Sequence, residues 1–381
     1  MTETTAAMIP FVDLEAQRRR LGGRIEVAIQ RVLEHGQFIM GPEIAELEEQ
    51  LARYCGARHV VTCSSGTDAL LLALMAHGIG RGDAVVVPSF TFPATPEVVA
   101  LLGASPVFAD VLADTFNLDP VSVRTALEVA RSAGLRPRAV IAVDLFGQPA
   151  DYDALESLCR EEELMLVADA AQSFGAWWRD RKVGTIGDVT CTSFFPAKPL
   201  GCYGDGGALF TEDDATAETL RSLRAHGRGR GKYDIARVGL NGRLDTMQAA
   251  ILVQKLTIFD DELAARRAIA RWYDVALDGI VQTPIVDARA TSTCAQYTVR
   301  VHDRDRLAMT LREHGIPTVV YYPEPLHHQP GYARALRAGR LSNSERVSAR
   351  VLSLPIHPYL DEDVLRLIES TVTKSETRAT E

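Results

Sequence analysis

The chain has 381 residues, 41 Lys plus Arg against 50 Asp plus Glu, and a formal net charge of −9. That length exceeds one small core and points to two or three domains, and 46% hydrophobic with 24% charged residues is ordinary for a soluble globular protein. The acid excess argues against nucleic acid as the main partner, though not against a nucleotide, and no apolar run reaches the roughly 18 residues of a membrane span.

Taken in chain order, the opening MTETTAAMIP lacks the basic and apolar parts of a signal peptide, so a cytoplasmic protein is expected. Residues 43–54 read as an amphipathic helix, with Ile44, Leu47, Leu51 and Tyr54 on one face. From residue 60 short apolar runs alternate with helical stretches. The runs are Ala84–Val87, Pro106–Val111, Ala139–Val143, Leu164–Ala168, Thr190–Phe195 and Ala208–Thr211. Unalternated runs of this kind suit strands covered on both faces. Helical segments such as Val121–Ala133 and Asp151–Glu163 lie between them, the mark of βαβ units and a mostly parallel sheet. A long helix is expected from Asp245, its N-cap, to about Ala276, breaking near Asp260-Asp261. Beyond it, Gln296–Val301, a helix at Arg304–His314, a strand at Thr318–Tyr322 and a helix at Glu362–Thr373 suggest a small α+β domain, with KSETRATE frayed. The cysteines (55, 63, 159, 191, 202 and 294) show no CxxC spacing, so neither a metal nor a redox pair is expected.

Four motifs carry chemistry. Cys63-Ser64-Ser65-Gly66-Thr67-Asp68 joins a strand (His59–Thr62) to an apolar helix; a helix N-terminus attracts anions, and Gly66 and Thr67 suit a phosphate, although Ser and Thr there are also ordinary caps. Phe90-Thr91-Phe92 follows a strand end, where a ring could lie on a flat ligand or simply pack in the core. Asp169 ends the run Leu164–Ala168. A carboxylate at a strand end is costly to bury without a cation, and a protonated pyridine nitrogen would supply one; the plainer role is capping the next turn. Lys198 follows an apolar strand within Ser193-Phe194-Phe195-Pro196-Ala197-Lys198-Pro199-Leu200-Gly201. Desolvation there favours the neutral amine that attacks an aldehyde, whereas a snorkelling surface lysine is the alternative. The turn Gly201–Gly207 would let backbone approach a ligand.

In this order the motifs resemble those of DegT-type (DegT/StrS) nucleotide-sugar aminotransferases, a branch of the fold-type I pyridoxal-phosphate (PLP) enzymes. The resemblance extends from Pro10-Phe11-Val12-Asp13-Leu14, through Asp169-Ala170-Ala171-Gln172 and Gly239–Asp245, to Tyr322-Pro323-Glu324-Pro325-Leu326-His327 and Leu354-Pro355. It implies an α/β fold: a large PLP-binding domain over 1–265 with a mostly parallel sheet flanked by helices, and a small C-terminal α+β domain over 266–381. It implies that Gly66, Thr67 and Ser193 hold the cofactor phosphate, that Phe92 stacks on the pyridine ring, and that Asp169 pairs with the ring nitrogen. Gln172 would reach the ring's 3-oxygen and Lys198 would form the Schiff base. Asn241 would reach the site of a second copy, making a homodimer. Pyridoxamine phosphate would be the intermediate cofactor form, L-glutamate the donor, and a nucleotide-linked keto-sugar the acceptor. Ser193–Gly207 and Asn241–Ala250 look most like enzymes aminating a 3-keto UDP-N-acetyl-hexuluronic acid, while Arg228–Val238 and Ala288–Thr293 depart from them, leaving a 4-keto sugar or a pentose open. Arg228, Tyr322 and His327 are candidates for contact with substrate, and no metal is expected.

Three rival readings use the same residues differently. A PLP-fold sugar dehydratase would carry His where Lys198 stands. A non-catalytic sensor could share the fold. A nicotinamide dehydrogenase would need a G-x-G-x-x-G after an early strand, which is absent.

Overall fold

The computed structural model of the chain describes residues 9–231 and 233–380. Its centre is an eight-stranded sheet in the order His59–Cys63, Gly207–Thr211, Val189–Ser193, Met165–Asp169, Arg136–Val143, Asp83–Pro88, Ser105–Ala109, Leu336–Arg337. Gly207–Thr211 runs antiparallel to both neighbours, and the other seven strands share one direction. Asp83–Pro88 and Met165–Asp169 are buried at every position, as strands covered on both faces must be. Helices Gly66–Ala76, Ala94–Leu101, Pro120–Ser132 and Tyr152–Glu161 connect the parallel strands. Side-chain caps from Ser65, Asp119 and Asp151 start three of them, which satisfies N–H groups that the helix itself cannot.

The register decides what meets at the carboxyl edge of the sheet. Cys63 and Ser193 both pair with Gly207, Cys191 pairs with Asp169, and Asp169 pairs with Val143. The segments leaving those strands therefore begin side by side. A separate apolar cluster joins Ile269 and Tyr273 to Val299, Leu307, Leu354 and Ile368 around the two-stranded pairing of Tyr297–Arg300 with Val351–Leu354.

Several expected elements differ. The long helix breaks at Thr257-Ile258, so Thr246–Leu256 is followed by Phe259–Ala276. Asp260, Asp261 and Glu262 thus open the second helix, where acidic side chains complement the helix dipole. Asp245 occupies the cap position without making a side-chain cap bond. Thr318–Tyr322 is not a strand: only Val319 bridges, to Ser353, while Tyr321 and Tyr322 pack on the Phe90, Phe116 and Phe146 cluster. The last helix runs on to Thr380, through most of the tail expected to fray. Leu336–Arg337, not anticipated as a strand, extends the main sheet beside Ser105–Ala109. Among the described residues no helix is long and apolar enough to cross a membrane.

Candidate active site

At the carboxyl edge, Ser65 caps the helix Gly66–Ala76 by accepting from the Asp68 N–H at 3.0 Å. The Gly66 and Thr67 N–H groups have no acceptor among the described residues. Gly66 lies hard against the end of the strand Val189–Ser193: a Cβ there would be 2.6 Å from the Ser193 Cβ. Ser193 therefore shares this corner, and its Oγ accepts from the Phe195 N–H at 3.2 Å. Free N–H groups at a helix N-terminus, two hydroxyls and a glycine form a cradle suited to a phosphate. Glycines in the following turn serve a different purpose from that expected. A Cβ on Gly207 would be 2.4 Å from the Ser65 carbonyl oxygen, and one on Gly201 would be 2.5 Å from that of Pro196. They admit neighbouring backbone, locking the lysine-bearing turn to the cradle.

Asp169 is buried, and burial raises its pKa. One of its oxygens accepts from the Ala171 N–H at 3.1 Å, and the other faces the Thr95 hydroxyl at 3.5 Å. Neither donor is charged, and no ion pair neutralises this carboxylate among the described residues. Lys198 is partly buried on the neighbouring turn, where burial lowers its pKa and the Asp169 charge opposes that shift. The pair is thus coupled across adjacent strand ends, with the acid lacking a close cation and the amine biased towards its neutral form.

Phe90 and Phe92 part company. Phe90 is core, whereas Phe92 is 58% exposed, its ring centroid 6.4 Å from that of Tyr322. Burial, assisted by the Asp169 charge, raises the pKa of Tyr322, and the Gln172 side chain opposes that shift. Gln172 is held from behind by the Phe146 N–H on its side-chain oxygen at 2.5 Å and by the Thr293 hydroxyl on its carbonyl at 2.6 Å. Phe92, Thr95, Asp169, Gln172, Lys198 and Tyr322 thereby form one constellation beside the cradle. A planar pyridine with an acidic N–H, an aldehyde and a phosphate fits these groups: the buried carboxylate would suit its nitrogen, and the Gly66 corner its phosphate.

Other candidates lie apart. His327 is buried against Ser89 and Glu345, and burial lowers its pKa. Arg228 is exposed at a loop closed on itself by the Gly229–Asp234 and Ala236–Gly227 backbone bonds. Lys232 of that loop lies outside the described residues. Asn241 is exposed, accepts from Arg243, and neighbours Gly242, whose carbonyl takes the Ser64 N–H at 3.1 Å. In Ala288–Thr293, Arg289 is committed to Asp151, Asp153 and Asp287.

Two residues escaped the sequence reading. Thr95, which opens the helix after Phe92, was signalled only by its place beyond a strand end. Asp144 ends the Arg136–Val143 strand much as Asp169 ends its own. Burial lifts its pKa to about 7, and it accepts from Ser173 at 2.5 Å, Tyr152 at 2.6 Å and the Ala150 N–H. It stands behind Asp169 as a structural anchor.

Known proteins share this fold. The structure of *S. venezuelae* DesV in complex with a ketimine intermediate superposes with a TM-score of 0.92 at 40% identity, covering 97% of this chain and 98% of that one. NtdA from *Bacillus subtilis* with bound cofactor PMP gives 0.89 at 25% identity, covering 99% and 87%. Among sequence relatives, the UDP-2-acetamido-2-deoxy-3-oxo-D-glucuronate aminotransferase of *Pseudomonas aeruginosa* is 45% identical over 96% of this chain and 100% of its own. Residues 20–373 match the profile of the DegT/DnrJ/EryC1/StrS aminotransferases, and the chain belongs to that family.

Proposed function

We propose that this protein transfers an amino group from an amino acid, L-glutamate by resemblance, to a nucleotide-linked keto-sugar, with PLP held by Lys198 and Asp169. The observation that carries the reading is a buried carboxylate that makes no ion pair among the described residues, coupled to a lysine whose pKa burial lowers. Pyridoxal phosphate, when bound, supplies an aldehyde that accepts the amine and a ring that withdraws electrons from the adjoining carbon. Asp169 would hold the ring nitrogen protonated, its own burial cost offset by that cation. Gly66, Thr67 and Ser193 would bind the phosphate, Phe92 would cover the ring, and Gln172 would meet its 3-oxygen. The Nζ of Lys198 would take a proton from the donor α-carbon in one half of the reaction. In the other half it returns a proton to the sugar carbon that gains nitrogen.

The similarity to the *P. aeruginosa* enzyme favours a 3-keto UDP-hexuluronate as acceptor. The division into 1–265 and 266–381, and a homodimer in which the exposed Asn241 reaches its partner's cofactor, belong to the same proposal. Loading the protein with pyridoxamine phosphate and offering a panel of UDP- and dTDP-keto-sugars tests it. Return of the pyridoxal absorbance with one class of sugar supports the reading; no response to any keto-sugar, in protein that reacts with glutamate, refutes the acceptor class.

A further inference from the structure

Next to the active-site wall, but outside it, three side chains converge from two elements. His327 and His328 sit on the turn Leu326–His328, and Glu345 on the helix Ser342–Ser348. The Glu345 Oε1 lies 3.3 Å from the His327 Nε2 and 3.4 Å from the His328 Nε2, and the three ligand atoms all fall within 4.8 Å of one another. Behind them the Ser89 Oγ is 2.6 Å from the His327 Nδ1.

We infer that His327, His328 and Glu345 form a binding site for one divalent transition metal of the zinc class. Tetrahedral zinc, with bonds of about 2.0–2.2 Å to nitrogen and oxygen, sets its ligands about 3.3–3.4 Å apart. Both histidine-to-carboxylate separations already match that edge. The third edge, between the two rings, lies within 4.8 Å, and His328 is exposed and able to turn. Two imidazoles and one carboxylate suit zinc, cobalt or nickel, and are a poor set for magnesium or calcium, which favour oxygen.

The shell behind the ligands also fits. When Nδ1–H is donated to Ser89, the His327 Nε2 keeps the lone pair a metal needs, pointed at the carboxylate. Without a cation or a proton between them, that nitrogen and the Glu345 oxygen would oppose lone pair to lone pair. A bound ion would tie the turn to the helix Ser342–Ser348 and, through Ser89, to the end of the Asp83–Pro88 strand. Phe92 leaves that strand end and Tyr322 precedes the turn, so the metal would brace one wall of the active site.

The test uses untagged, cofactor-loaded protein stripped with chelator and titrated with Co2+ alone. The expected result is one equivalent bound, with the intense visible d–d absorption of tetrahedral cobalt, displaced by Zn2+. His328→Ala and Glu345→Gln alter exposed side chains, and each should weaken binding at least about tenfold; Ser89→Ala should weaken it by about tenfold through the unsupported His327 ring. Circular dichroism confirms that each variant is folded. Absence of the tetrahedral band, or a band of unchanged affinity in both His328→Ala and Glu345→Gln, overturns the inference. Neither readout depends on turnover, so the outcome is independent of the proposed reaction.

Discussion

Substituting Gly66 by alanine should separate cofactor binding from folding. A Cβ at this position would lie 2.6 Å from the Ser193 Cβ, 3.1 Å from its Oγ and 3.2 Å from its Cα. Ordinary contact begins near 3.4 Å, so the helix start and the strand must part by about 0.8 Å. The strand cannot easily yield, because Ser193 pairs with Gly207, which itself abuts Ser65. Overpacking of this kind costs about 1–3 kcal/mol, which a melting curve will show as a moderate loss. The greater effect falls on the phosphate cradle. A hydrogen bond of ~2.9 Å lengthened by most of an ångström is largely lost, and one such bond to a charged group is worth about 1.5–3 kcal/mol. Cofactor affinity should therefore fall by about tenfold or more, measured by titrating PLP into apoprotein and following its visible absorbance. Gly80→Ala is the control, since its Cβ would meet only the Leu102 oxygen at 3.9 Å. Wild-type affinity in folded Gly66→Ala would refute the cradle.

Two further predictions concern pH. His357 is neutral in the fold: its Nε2 donates to the Pro10 carbonyl and its Nδ1 accepts from the Tyr359 N–H. Burial and the nearby Arg266 depress its pKa to about 4, against the weaker pull of Asp13. Its stabilising contribution is thus complete above about pH 6.5 and is lost as pH falls towards 4, by about 3 kcal/mol in all; urea melts should show His357→Gln largely without this loss, and parallel acid profiles would contradict it. Lys255 donates to the Gly201 carbonyl at 2.7 Å from within the core, and burial lowers its pKa to about 8. The cost of charging it is complete below pH 8 and fades towards the free value near 10.5, so wild type should gain about 3 kcal/mol over Lys255→Met across that interval. An unchanged difference between their urea midpoints over that range would contradict it.

The sequence made the sheet and the principal site legible for a physical reason. Strands buried on both faces read as unbroken apolar runs, so Ala84–Val87 and Leu164–Ala168 stand out, and the groups at their carboxyl ends become candidates by position. Lys198 and Asp169 are conspicuous because a charge in an apolar context needs an explanation. What stayed hidden depends on tertiary partners. The β-branched run at Thr318–Tyr322 suggested a strand, but its tyrosines are used to pack on Phe90 and Phe146. The acidic pair Asp260-Asp261 looked like a helix end and instead starts one. The glycines after Lys198 suggested a ligand, yet Gly201 and Gly207 make room for backbone. His327, His328 and Glu345 are brought together only by the folding of a helix onto a turn, which no spacing in the sequence announces.

The central claim is that Lys198 carries the cofactor. Reducing the PLP-loaded protein with borohydride fixes the covalent link, and peptide mapping then locates it. The account predicts one pyridoxyl tag per chain, on the peptide containing Pro196-Ala197-Lys198-Pro199, and none in Lys198→Ala. A tag on Lys255, Lys182 or any other lysine, or no tag in protein that binds PLP, would contradict it.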